Sequence, residues 1–199
     1  MRVVLADHGA GNLRSVCAAF ARAGVEPVVS ADPAGVVEAP LAVVAGVGNT
    51  GSAAAALRER GLAEALLGRV EAGRPLLGIC VGMQLLFGDS EEGGAGLGVL
   101  AGTVRKLRAQ RVPHMGWNEL RISNGSALLA GLDGRDVYFA HSFACAPDEP
   151  VAVAEVEHGG PIVAAVEHGA VAGVQFHPER SGAAGAEVIR NILRWSSAA

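Results

Sequence analysis

Pro75-Leu76-Leu77-Gly78-Ile79-Cys80-Val81-Gly82-Met83-Gln84-Leu85-Leu86-Phe87 is the stretch on which the fold turns. Pro75-Leu76-Leu77 has the character of a buried strand, and Met83-Gln84-Leu85-Leu86-Phe87 that of a helix. Cys80 lies at the apex between them, flanked by Gly78 and Gly82. A strand, a sharp turn and a helix make one unit of an α/β protein. Glycines around such a turn admit no side-chain bulk and aim the central residue outward at the strand's end. The unpaired amides and dipole of a helix start favour a thiolate there.

Downstream, Val171-Ala172-Gly173-Val174-Gln175-Phe176 reads as another strand, ended by Pro178, that delivers His177 to the same end of a sheet. Glu179, two residues on, is placed to orient the imidazole and stabilise its protonated form. Cys80, His177 and Glu179 thus have the residue types of nucleophile, base and orienter. A lone cysteine is more often a small core residue, and Cys17 and Cys145 read that way. Cys17 shares a helical pattern with Leu13, Val16 and Phe20. His158 and His168 each precede a glycine and read as solvated turn residues.

Strand and helix alternate through the first half. Val3 to Ala6 is expected as a strand, Leu13 to Ala23 as a helix, Val25 to Ser30 and Leu41 to Ala45 as strands, and Ala53 to Val70 as largely helical. This alternation implies a mostly parallel sheet flanked by helices. From Leu97 to Val174, short apolar runs are separated by Asn124-Gly125, Asp133-Gly134, Gly159-Gly160 and His168-Gly169, which predicts antiparallel hairpins added to that sheet. A last helix from Ala184 to Trp195 offers Val188, Ile189, Ile192 and Trp195 to the core.

The 199 residues fit one domain with a substantial interior. Half are hydrophobic, yet no apolar run reaches the roughly 18 residues of a membrane span. Met1 to Asp7 is too short for a signal peptide. A net charge of -4 provides no basic footprint for nucleic acid. Three cysteines, one needed as a thiol, argue for a reducing, cytoplasmic setting. No zinc spacing occurs, so neither metal nor cofactor is expected. Gly9-Ala10-Gly11 follows a strand, but Arg14-Ser15 stands where a dinucleotide fingerprint needs its third small residue.

Gly78-Ile79-Cys80-Val81-Gly82-Met83-Gln84 and Gly173-Val174-Gln175-Phe176-His177-Pro178-Glu179 resemble the two signatures of the class I (triad) glutamine amidotransferases. More narrowly, Asp7 to Val16, Pro113-His114-Met115-Gly116-Trp117-Asn118 and Tyr138-Phe139-Ala140-His141-Ser142-Phe143 are similar to the glutaminase subunits of imidazole glycerol phosphate synthases. The resemblance spans nearly the whole chain. It implies a flavodoxin-like sandwich forming a single glutamine amidotransferase domain over 1–199. It also implies glutamine hydrolysis through Cys80, His177 and Glu179, with ammonia passed to a cyclase subunit, a (β/α)8 barrel, in a heterodimer of histidine biosynthesis.

By the same resemblance, Gln84, the backbone around Ser142 and Phe143, and Glu92 would hold glutamine. Asn12, Trp117, Tyr138, His141 and Arg180 would serve the partner interface or signalling. Ala45-Gly46-Val47-Gly48 would bring a Val47 or Gly48 amide to an oxyanion hole shared with Val81. This chain departs from the family with Ala45 in place of a proline, a change that frees roughly 0.4 to 1 kcal/mol of unfolded-chain entropy, and with His8 in place of a tyrosine. Three readings stay open beside this one: the glutaminase of another synthase, such as that of pyridoxal 5'-phosphate; a Cys-His hydrolase or peptidase; and a non-catalytic stabilising subunit.

Overall fold

The computed structural model describes residues 1–123 and 125–198. β1 (Val3–Ala6) is wholly buried and leads to α1 (Leu13–Arg22), capped by the Asn12 side chain, which accepts from the Ser15 N–H at 3.3 Å. α1 buries Val16, Ala19 and Phe20. β2 is only Val28–Ser30, shorter than expected. The Val25 N–H closes the end of α1 onto the Phe20 carbonyl, and Pro27 has no N–H for a ladder. α2 (Pro33–Glu38) was not anticipated, although Asp32 followed by proline is a helix-start signal: the Asp32 carboxylate accepts from the amides of Ala34 and Gly35.

β3 (Leu41–Gly46) precedes α3 (Thr50–Glu59) and α4 (Leu62–Glu71). The single helix expected over 53–70 is broken at Gly61, whose φ of +67° lies in the left-handed region that ends helices. β4 (Leu76–Cys80) runs directly into α5 (Val81–Gln84). The helix expected over Met83 to Phe87 is corrected: one turn forms, and Phe87 opens β5 (Phe87–Ser90). The carbonyls of Leu85 and Leu86 accept from Leu97 and Leu100 rather than from a further helical turn, so tertiary pairing outweighs a weak local preference.

The second half contains β6 (Leu100–Lys106), β7 (His114–Glu119), β8 (Arg121–Ile122), β9 (Asp136–His141), β10 (Phe143–Pro147), β11 (Ala152–Glu157), β12 (Pro161–His168) and β13 (Val171–Val174). A short 3-10 turn at Pro178–Arg180 and α6 (Gly182–Ala198) follow. The main sheet has the order β2-β1-β3-β4-β13-β12-β11-β8. β2, β1, β3, β4 and β13 are parallel, and β12, β11 and β8 extend them antiparallel.

The turns at Gly159-Gly160 and His168-Gly169 make hairpins of that extension. The rest of the region does not join it: β10-β6-β5 and β7-β9 form two further sheets, and the Asp133-Gly134 turn feeds the second of these. The expected Asn124-Gly125 turn falls outside the described residues. α6 buries Val188, Ile189, Ile192 and Trp195 as its pattern requires. Behind the sheet, the fully buried Arg69 donates to the carbonyls of Val36, Val37, Ala39 and Pro75, and so pins α2 to the start of β4.

Candidate active site

Strand register assembles the site. β4 lies between β3 and β13, with Gly46 paired to Cys80 and Val174 to Ile79. The loop after β3, the thiol, and the segment that carries His177 therefore meet at the carboxyl ends of adjacent parallel strands, where open α/β sheets form their sites. Cys80 has φ +55° and ψ -111° and is the one non-glycine residue with positive φ among those described. Backbone strain of this kind costs about 1–3 kcal/mol and persists only where the surroundings enforce it.

His177 Nδ1 contacts Glu179 Oε1 at 2.8 Å, and both side chains are nearly inaccessible. The His177 backbone is clamped as well: its N–H donates to the Tyr138 carbonyl at 2.8 Å, and its carbonyl accepts from the Ser181 hydroxyl at 2.6 Å. Burial pulls the imidazole's pKa down, but hydrogen bonds and charge interactions with Cys80 and Glu179 outweigh it and carry the value to about 10. The ring therefore holds its proton at neutral pH, beside the sulfur. Gln175, fully buried, donates to Cys80 Sγ at 3.7 Å. No role for Gln175 was read from the sequence, though an amide ending an otherwise apolar strand is itself a signal.

A cleft of about 350 Å³ opens over Cys80, bordered by Val47, Gly48, Val81, Gln84, Glu92, Ser142, Phe143 and His177. Gln84 is 3% exposed and committed to the protein. Its Nε2 donates to the Phe143 carbonyl and Gln175 Oε1, and its Oε1 accepts from Thr50 Oγ1. With both amide hydrogens used, Gln84 faces a ligand only as an acceptor. One oxygen of Glu92 accepts the Thr50 N–H at 2.7 Å. In the loop, His8 Nε2 lies 3.2 Å from the Ala45 carbonyl. The two departures from the family thus touch each other, and the imidazole holds the backbone at the point where the proline is missing.

The expected interface residues separate into two groups. Trp117 is 57% exposed and meets Tyr138 edge-on, while the Arg180 guanidinium lies 4.3 Å from the Tyr138 ring centre. Asn12 and Arg180 border a smaller cleft that His177 and Glu179 also line, and Arg180 reaches the main cleft as well. His141, by contrast, is buried in the cleft wall. His158 is no free turn residue either: it stacks on His114 at 4.1 Å and approaches the Arg111 carbonyl. Among the described residues, no group of three or more His, Cys, Asp or Glu could hold a metal, and no helix is long and apolar enough to cross a membrane. Cys145 is buried and Cys17 half-buried; burial pushes both thiols up.

Burial, with the neighbouring histidines, lowers His114 to about 4, and burial lowers His141 to about 4 despite its hydrogen bond to Phe143. A depressed histidine stabilises the fold above its ordinary pKa of 6.5 and loses that contribution as pH falls toward 4. His177 has the opposite sign: its contribution is complete below 6.5 and is lost as pH rises through about 10. Urea unfolding followed from pH 4 to 10 is therefore expected to give greatest stability near pH 6.5, with a shallower acid limb in His114→Phe. An unchanged acid limb in that variant would contradict the lowering of the His114 pKa by burial.

Fold and site together present an α/β sandwich with a thiol, an imidazole and a carboxylate gathered at the carboxyl ends of its parallel strands. The chain belongs to the glutamine amidotransferase class-I family, whose signature matches residues 4–195. It is 47% identical over 201 residues to the imidazole glycerol phosphate synthase subunit HisH of Xylella fastidiosa (strain Temecula1), spanning 98% of each chain. To the HisH subunit of Methanothermobacter thermautotrophicus it is 42% identical over 194 residues, spanning 96% of this chain and 97% of the relative. A solved structure of a glutamine amidotransferase superposes with a TM-score of 0.79 over 98% of both chains at 22% identity. That likeness bears on the fold alone.

Proposed function

We propose that this chain is the glutaminase subunit of an imidazole glycerol phosphate synthase, hydrolysing glutamine and delivering the ammonia to a cyclase subunit in histidine biosynthesis. The carrying observation is that the Cys80 thiol and the His177 imidazole, the latter bonded to Glu179, line one cleft with Val47, Gly48 and Val81; the HisH relatives supply the pathway. Cys80 attacks the side-chain amide carbon of glutamine. As the C–N bond breaks, His177 gives its proton to the departing ammonia, and Glu179 holds the ring in position. The neutral imidazole then takes a proton from water, which attacks the thioester; the C–S bond breaks and glutamate leaves.

In this reading the Val81 amide, with that of Val47 or Gly48, stabilises the oxyanion. Ser142 and Phe143 hold the substrate's α-groups, Gln84 Oε1 accepts from its amine, and Glu92 attracts that amine. Exposed Val47 and Met115 border the cleft, and the exposed Val112 and Trp117 lie within three residues of Met115 in the chain, an apolar surface with the character of a partner-binding patch. The cyclase, a (β/α)8 barrel, is assigned to that surface, with Asn12, Tyr138 and Arg180 nearby. A nucleophilic thiol is consistent with the cytoplasm, and residues 1–199 act as one amidotransferase unit.

The test is glutamate release by the chain alone, with the cyclase, and with cyclase plus its ribonucleotide ligand. Low activity alone and stimulation of at least about tenfold in the full mixture are expected, a coupling of the size typical of linked sites. Full activity of the isolated chain would refute the gating, and failure to bind the cyclase would refute the subunit assignment.

A further inference from the structure

Behind the cleft wall, three side chains form a line whose hydrogen-bond directions are set by its two ends. Asn118 Oδ1 accepts from the Glu119 N–H at 2.9 Å, and Nδ2 donates to the Glu157 carbonyl at 3.0 Å, which fixes the amide's orientation. Nδ2 also faces His114 Nε2 at 3.1 Å. An amide nitrogen only donates, so His114 Nε2 accepts and the ring carries its proton on Nδ1. That Nδ1 faces His141 Nε2 at 2.9 Å, so His141 Nε2 accepts in turn. The remaining proton, on His141 Nδ1, is donated to the Phe143 carbonyl at 2.8 Å. The far end agrees, because a carbonyl can only accept.

Every donor in this line meets an acceptor while both rings are neutral. A further proton on either ring would set two donors against each other. His114 is held between the rings of Phe139 and His158, at 4.6 and 4.1 Å. The Phe143 carbonyl at the inner end also accepts from Gln84, which connects through Gln175 to the Cys80 sulfur. The adjoining Ser142 carbonyl accepts from the Leu107 N–H. At the outer end, β7 alternates: His114 and Asn118 point inward, whereas Met115 and Trp117 are exposed.

We propose that Asn118, His114 and His141 are positioning residues: their one-directional hydrogen-bond line sets the Ser142–Phe143 edge of the cleft for glutamine and ties it to the strand that presents Met115 and Trp117. The proposal rests on the glutaminase reading for its ligand, but not for its proton positions. Imidazole 15N spectra of the full chain at pH 7 are expected to show His114 and His141 both neutral and protonated on Nδ1. A proton on Nε2 of either ring overturns the proposal.

In the synthase complex, His114→Phe keeps the stacking ring and removes the line. It is expected to raise the KM for glutamine by about tenfold, the cost of a lost buried hydrogen bond, with kcat changed by less than about threefold. His114→Gln restores a donor and an acceptor in one side chain and returns KM to within about threefold of wild type. Asn118→Leu, outside the cleft, raises KM in the same direction. Equal KM values for His114→Phe and His114→Gln, in variants that melt as folded proteins, overturn the proposal. If His114→Phe does not fold, Asn118→Leu decides: an unchanged KM refutes the line. Absence of glutamine turnover in the wild-type complex overturns the functional reading instead, and the 15N spectra still decide the proton positions.

Discussion

Cys80→Ala is expected to lower glutamate release by about 10⁵- to 10⁶-fold in the synthase complex while the chain remains folded. Without the sulfur no thioester forms, and His177 and the backbone amides are left with only direct attack by water to assist. The fold survives because alanine keeps the β-carbon: the turn at φ +55° is no more strained than before, and the lost contacts are the hydrogen bond from Gln175 to sulfur and the sulfur's interaction with His177. The same change removes a group that raises the His177 pKa, so the imidazole should titrate below about 10 in the variant. A coupled glutamate assay, a thermal melt and an imidazole 15N titration read all three. Activity within tenfold of wild type would exclude Cys80 as the nucleophile.

Gly82→Ala should be the most damaging one-carbon change to the fold, costing more than about 4 kcal/mol. A β-carbon on Gly82 would collide with the Val44 carbonyl in the neighbouring strand. That obstacle is backbone, so no side-chain rotation relieves it, and the strand-to-helix elbow that carries Cys80 can only move away from β3. The roughly 1 kcal/mol by which alanine exceeds glycine in helix propensity does not offset this. Gly48→Ala is the control: at φ +88° it meets backbone strain of about 1–2 kcal/mol but open space around the new carbon. Urea midpoints of the two variants should therefore differ widely. Comparable midpoints would mean that the close approach of elbow and β3 is not what demands glycine at position 82.

The elbow was legible because its constraint is local. Gly78 and Gly82 stand where a β-carbon would run into backbone, and Cys80 between them occupies the strained conformation. His177 and Glu179 were legible for a related reason, since two residues of separation let the carboxylate reach the ring. α6 kept its expected inward face because its apolar spacing matches one helical surface. The helix expected after the elbow was cut to one turn because the carbonyls of Leu85 and Leu86 found partners a dozen or more residues away. The antiparallel second half was visible as strands and turns, but not as separate sheets, because short apolar runs do not encode which neighbour they pair with.

Sequence alone determined the α/β class, the thiol at the elbow, and the imidazole with its carboxylate, all of which follow from periodicity, turn chemistry and short spacing. Tertiary structure alone decided what surrounds them. It placed Gln175 against the sulfur, spent both amide hydrogens of Gln84, tied His8 to Ala45, and turned His114 and His141 into a directed pair inside the cleft wall. These contacts join residues from 27 to 95 positions apart. A buried polar group must find a partner, but only the packing of distant strands determines which one it meets.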